Sequence, residues 1–218
     1  MGNDTVTLGS GDDVVMGGIG YDNIHLGSGE DLILFNKGDG TDQIFSEGGA
    51  DNAISLGGGV RYTDLGLSRT GSDLVLDIAN SDRIVLRDWY GASGPSVGKL
   101  QVVNAGSGEY QPAGRDPLRD QAVEQFDFTQ LVTAFNQAQQ QSPGSRWSLM
   151  NSLLDAHLQG SDMAALGGEL AITYAHEGSL LGTANTAANE MLGAGHAGTG
   201  NMAVGSTLDT GVHSYRAA

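Results

Sequence analysis

Four aspartates, Asp4, Asp13, Asp22 and Asp31, stand nine residues apart, each in the same phase of a repeated phrase: GNDTVT, LGSGDDVVM, GGIGYDNIH, LGSGEDLIL. Glycine precedes each acid by two residues, at Gly2, Gly11, Gly20 and Gly29, and a second glycine recurs at Gly9, Gly18 and Gly27. A β-branched residue follows each acid by two, at Val6, Val15, Ile24 and Ile33. Carboxylates at one phase of a repeat stack, and stacked carboxylates repel unless a cation lies between them. The glycines beside them expose backbone carbonyls with no Cβ in the way. Calcium takes about six to eight carboxylate and carbonyl oxygens in flexible geometry, whereas magnesium demands a tighter octahedron and keeps its waters. Soft ligands are missing: the chain has no cysteine and this segment has only His25, so zinc is a poor fit.

The elements that must position these acids follow from the same period. The x-U-x half of each phrase reads as a short strand. Side chains alternate across a strand, so Leu8, Leu26 and Phe35 join Val6, Ile24 and Ile33 in a thin core. The glycine-rich half is a turn. Two strands and two turns make a coil of eighteen residues, which stacks Asp4 over Asp22 on one edge and Asp13 over Asp31 on the other. The next phrase, NKGDGTDQI, puts Asp42 eleven residues beyond Asp31; with a bulge it still reaches the place over Asp22. Residues 48–54 read as one further, degenerate turn near Asp31, with Asp51 in the acid position. The expected ligands are the carboxylates of Asp4, Asp13, Asp22, Asp31 and Asp42, with carbonyls of Gly2, Gly9, Gly11, Gly18, Gly20, Gly27, Gly29 and Gly40, holding several calcium ions. The pattern G-G-x-G-x-D-x-U-x is the sequence signature of a calcium-binding parallel β-roll.

On these repeats, residues 1–54 resemble the calcium-binding domain of RTX proteins, which Gram-negative bacteria export by type I secretion. Residues 54–103 are similar to the domain that often follows such repeats in haemolysin-type calcium-binding proteins. The matching features there are Gly57, Gly58 and Gly59, the Asp64-Leu65 step, Gly71-Ser72-Asp73-Leu74 and Asp88-Trp89-Tyr90. Residues 104–218 resemble more loosely the helical C-termini of very large RTX proteins. The resemblance implies a secreted or cell-surface protein. It also implies an uncleaved C-terminal export signal read by an inner-membrane ABC transporter. The chain's terminus, HSYRAA, departs from the acidic, apolar end of the secreted metalloproteases.

Composition agrees. Glycine supplies 35 of 218 residues and formal net charge is −16. Ten acids against one base, Lys37, fall in residues 1–60, which disfavours nucleic acid and anionic lipid surfaces. Few apolar residues under that much charge leave the repeats unfolded without a counterion. No apolar run follows Met1 and none approaches the roughly 18 residues of a membrane span. The chain begins inside a repeat, which points to a longer parent.

The expected architecture is β plus α: a β-roll over residues 1–54, a β cap over 55–103, a linker at 104–117, a helical region at 118–192 and a flexible tail at 193–218. Short apolar runs at 53–56, 65–69, 74–78, 83–86 and 100–103 read as strands, with hairpin turns at 70–73 and 80–82. Trp89 and Tyr90 would plug the roll's open end. Phe126, Phe128, Leu131, Val132 and Phe135 read as one face of a helix ending near Gln141, before Ser142-Pro143-Gly144. Trp147, Met150, Leu153, Leu154 and Leu158 suggest a second helix, Leu166, Leu170 and Tyr174 a third, and residues 180–192 a fourth.

Two catalytic patterns lack their context. Gly94-Pro95-Ser96-Val97-Gly98 matches a serine-hydrolase elbow, but a short apolar run follows it where a helix is required. Residues 193–198 match G-x-G-x-x-G without a preceding strand. No enzyme activity is expected. A second expectation, of a different class, is a calcium-stiffened stalk carrying a helical binding domain of an adhesin.

Overall fold

A computed structural model describes residues 1–46, 51–79, 81–159 and 167–180, together with the backbone of Asn201–Val204 and His213–Arg216. The architecture is mixed α/β, with two large sheets and few helices. Through the first six strands the chain visits the sheets alternately. Strands β1 (Thr5–Thr7), β3 (Asn23–His25) and β5 (Thr41–Phe45) pair in parallel in one sheet. Strands β2 (Val14–Met16), β4 (Leu32–Asn36) and β6 (Ala53–Gly57) do so in the other. The register is that of the repeat: Val6 pairs with Ile24 and Ile24 with Ile44, while Val15 pairs with Ile33 and Ile33 with Ile54.

These columns face each other and form the main core with Leu8, Leu26, Phe35 and Leu56, all buried. Each such aliphatic side chain contributes about 1.5–3 kcal/mol when fully buried. The strands are only three to five residues long, so no single pair is stable alone and the columns must form together.

The parallel stacking runs on past residue 54. After an antiparallel hairpin of β7 (Gly66–Thr70) and β8 (Asp73–Ile78), strand β9 (Asp82–Leu86) pairs in parallel with β5. Strand β10 (Lys99–Val103) then pairs in parallel with β6. The segment read as a cap therefore supplies one more strand to each parallel stack. Trp89 is buried in the core against Phe128, whereas Tyr90 is only partly buried.

The region read as helical is woven into the sheets. Phe126 belongs to β11 (Val123–Asp127), antiparallel to β10, and not to the helix. Helix α1 (Phe128–Gln141) starts two residues later, capped by Asp127, whose carboxylate accepts the Gln130 N–H. It stops at Ser142, as its sequence implies. The expected second helix is broken into β12 (Trp147–Ser148) on β7, a 3₁₀ turn, a four-residue α2 (Leu153–Ala156) and β13 (His157–Leu158) on β11. Pairing with two exposed sheet edges outweighs the weak helical period, and Met150 and Leu154 point to solvent.

Helix α3 (Gly168–Glu177) covers the outer face of the second sheet, where Leu170, Ala171 and Tyr174 pack with Val14, Met16, Leu32 and Leu34. Residues 181–192 and 193–198 lie outside the described residues. In the segment read as a flexible tail, β14 (Asn201–Val204) pairs in parallel with β2, and β15 (His213–Arg216) pairs antiparallel with β14. No helix among the described residues is long and apolar enough to cross a membrane.

Candidate functional site

The aspartates occupy the two edges where strands turn from one sheet into the other. On one edge the Asp4 N–H donates to Asp22 Oδ1 at 2.7 Å, and the Asp22 N–H donates to Asp42 Oδ1 at 3.2 Å. On the other, the Asp13 N–H donates to Asp31 Oδ1 at 3.1 Å. Each acid of a later coil thus grips the backbone of the coil before it. The spacing is eighteen residues for Asp4–Asp22 and Asp13–Asp31, and twenty for Asp22–Asp42. The bulge at Lys37–Gly40 absorbs the extra pair, with Gly38 and Gly40 both at φ +101°.

The place over Asp31 is taken by Asn52 and not by Asp51. The Asp31 N–H donates to Asn52 Oδ1 at 2.8 Å, and Asn52 is buried while Asp51 is exposed. Asn52 also donates from Nδ2 to the Ser96 carbonyl at 2.7 Å. Ser96 itself is 3% exposed, and its loop runs into strand β10 and not into a helix.

A second inter-coil column was not anticipated. Asp12 Oδ1 accepts the Glu30 N–H at 2.8 Å, and Asn3 Oδ1 accepts the Tyr21 N–H at 3.0 Å. These bonds run the opposite way, from the later backbone to the earlier side chain. The residue just before each ligand acid carries the signal.

Asp13, Asp22, Asp31 and Asp42 are all buried; Asp4 is partly exposed. Among the described residues no hydrogen bond reaches Asp22 Oδ2 or Asp31 Oδ2. Burial pushes the Asp31 carboxyl up to about 7, opposed by the Asp13 N–H and reinforced by the charge of Asp13. Burial first, and then the charge of Asp22, pushes Asp42 up to about 8. Asp22 is raised by burial too. Buried carboxylates with no positive partner pay heavily for their charge.

The glycines leave no room between coils. A Cβ on Gly20 would overlap the Gly2 carbonyl, and one on Gly27 the Gly9 carbonyl. The carbonyls of Gly9 and Gly20 each accept an N–H from the next coil, from Ser28 and Thr41, and keep one lone pair each. Gly11, Gly18 and Gly29 line the same turns at positive φ, as does Gly2 at +157°.

This donor set is all oxygen and fits a hard cation such as calcium. Among the described residues Asp22 and Asp31 each keep a carboxylate oxygen that accepts no hydrogen bond, and Gly17 packs directly against that of Asp22. Among the described residues no three Asp, Glu or His side chains converge on one point. Any ion held here would draw most of its shell from carbonyls and water.

The histidines stand elsewhere. His25 stacks on Phe45 on the outside of the first sheet, His157 Nε2 lies 2.8 Å from Glu124 Oε2, and His176 Nε2 lies 3.0 Å from the Ala105 carbonyl. No protein-family model matches the chain, and no curated protein matches it. The resemblance of residues 1–103 therefore rests on the repeat residues of 1–54 and on the motifs quoted for 54–103.

Proposed function

We propose that the two alternating parallel stacks form a calcium-binding β-roll of the RTX kind. In this reading the module folds on extracellular calcium and supports type I secretion of a larger exoprotein. The observation that carries it is the column of buried, in-register aspartates whose second oxygens, at Asp22 and Asp31, accept no hydrogen bond among the described residues. Calcium bound in the turns supplies the positive charge that lets two facing carboxylates stay ionised in one gap. Asp22 and Asp42 on one edge, and Asp13 and Asp31 on the other, would hold it, with Asp4 at the outermost position.

The chain's own contribution is alignment. Oδ1 of each later aspartate fixes the preceding coil through its N–H, which leaves Oδ2 for a cation. The glycines hold the coils too close for any other side chain to enter. Without a cation the same carboxylates oppose folding, and a ligand that binds only the folded state stabilises it by mass action. Extracellular calcium modules work at about 10⁻⁴–10⁻³ M, so the module would stay unfolded where free calcium is low and fold after export. The C-terminal region would engage the exporter's ABC transporter. No catalytic role is assigned to this chain.

The test is far-UV circular dichroism in chelator, followed by calcium titration with magnesium as control. A cooperative gain of β signal with calcium alone supports the reading; an unchanged spectrum overturns it.

A further inference from the structure

A cleft of about 640 Å³ opens on the side of the molecule formed by the β7–β8 turn, Tyr90 and the C-terminal half of α1. Its rim is built from Arg69, Tyr90, Asn136, Gln139, Gln140 and Gly144, and among the described residues no carboxylate lines it. In a chain of net charge −16, that exclusion of acid is itself informative.

The hydrogen-bonding capacity of the cleft is lopsided. Arg69 lies with its guanidinium 4.0 Å from the centre of the Tyr90 ring, and its Nε donates to the Gly71 carbonyl. Its terminal nitrogens form no ion pair among the described residues. Asn136 accepts the Tyr90 hydroxyl on its oxygen at 2.8 Å. Gln139 spends both ends on the turn: Oε1 accepts the Gly144 N–H and Nε2 donates to the Ser145 carbonyl. The wall is thereby braced, and the terminal nitrogens of Arg69 are among the donors it keeps. Planar donors beside an aromatic ring suit a ligand rich in oxygen acceptors.

We propose that this cleft binds a saccharide residue bearing one carboxylate, of the uronic or sialic acid type. The terminal nitrogens of the Arg69 guanidinium match a carboxylate's geometry, and Asn136 and Gln140 match ring hydroxyls. The protein's overall negative field repels polyanions, which favours a ligand with a single charge and many neutral oxygens over a phosphate-rich or heavily sulfated one. The proposal stands apart from the calcium turns and does not depend on them.

Sialyllactose, lactose and acetate would be titrated in turn into the calcium-saturated protein, followed by calorimetry and by ligand-observed NMR. Sialyllactose should saturate, with lactose and acetate weaker by about ten-fold or more, the worth of one charge-assisted contact. Arg69→Gln should lose the preference for sialyllactose over lactose. Asn136→Ala should weaken both sugars while keeping that preference. Both sites are exposed, so unfolding temperature should stay at the wild-type value. Equal binding of sialyllactose and lactose, wild-type affinity in both variants, or no saturation by any probe would each overturn the assignment.

Discussion

The hydroxyl of Tyr174 donates to Oδ2 of Asp39 across 2.8 Å, joining residues 135 apart in sequence. Asp39 Oδ2 also accepts the Asn36 N–H at 2.7 Å, and Asn36 Nδ2 donates back to the Tyr174 carbonyl at 2.8 Å. Both partners are buried, and burial pushes both the Asp39 carboxyl and the Tyr174 phenol up. Helix α3 is thus pinned to the bulged turn that brings Asp42 over Asp22. Tyr174→Phe keeps the apolar contact and removes the bond, at a cost of about 1.5–3 kcal/mol for a hydrogen bond to a charged group. Hydrogen exchange of the α3 amides should accelerate in calcium, with strands β2 and β4 unaffected. Unaltered α3 exchange would mean that the apolar face alone holds the helix.

Acidity should stabilise the metal-free protein. The folded values of Asp31, about 7, and Asp42, about 8, lie above the ordinary 3.8 of an unfolded chain. The folded state therefore holds extra protons between those limits, and stability falls as pH rises wherever the native form binds more protons than the unfolded one. Their favourable contribution is complete below about 3.8 and is lost as pH climbs through 7 to 8. In chelator, the far-UV β signal should be larger at pH 5 than at pH 8.5. Saturating calcium should flatten or reverse that slope. A chelated protein equally stable at both values would contradict the buried-carboxylate account.

Charge and hydrogen bonding at the turns can be separated. Asp22→Asn keeps an Oδ1 for the Asp4 N–H and removes the charge beside Asp42. The metal-free form should gain stability at pH 8, while calcium-induced folding should need higher calcium. Asp4→Asn should do much less, because Asp4 is partly exposed whereas Asp22 is buried between Asp4 and Asp42. A calcium titration of the two variants in parallel decides the matter; equal shifts would remove the stacking scheme.

How much of this was legible from the sequence depends on where the information sits. The inward columns and Asp42's place over Asp22 follow from local phase, because Gly40, Asp42 and Ile44 preserve the motif across the insertion. The docking of α3 had a signal too. Alternate strands carry different outward residues: Thr5, Thr7, Asn23 and His25 in one sheet against Val14, Met16, Leu32 and Leu34 in the other. An apolar outer face needs a cover, and α3 provides it. Phe126 was misplaced because Phe126 and Phe128 fit both a strand and a helix start, although Asp127 is a strong capping residue. The segment from Trp147 to Leu158 could not be read locally. Its strands exist only because the edges of β7 and β11 lie open beside it.

Asn52 offers the sharpest test of the turn chemistry. It receives the Asp31 N–H as Asp22 receives that of Asp4, yet it brings no charge. Asn52→Asp would place a carboxylate over Asp31, whose Oδ2 accepts no hydrogen bond among the described residues, and complete a further acidic gap on that edge. It would also lose the Nδ2 bond to the Ser96 carbonyl, a cost of about 1–3 kcal/mol for an acceptor left buried and unmet. The variant should be less stable than wild type in chelator. In calcium it should recover, and calorimetry should count one more bound ion than in wild type. Loss of stability that calcium does not restore would mean that the edge is held by hydrogen bonds alone and that its carboxylates were never cation ligands.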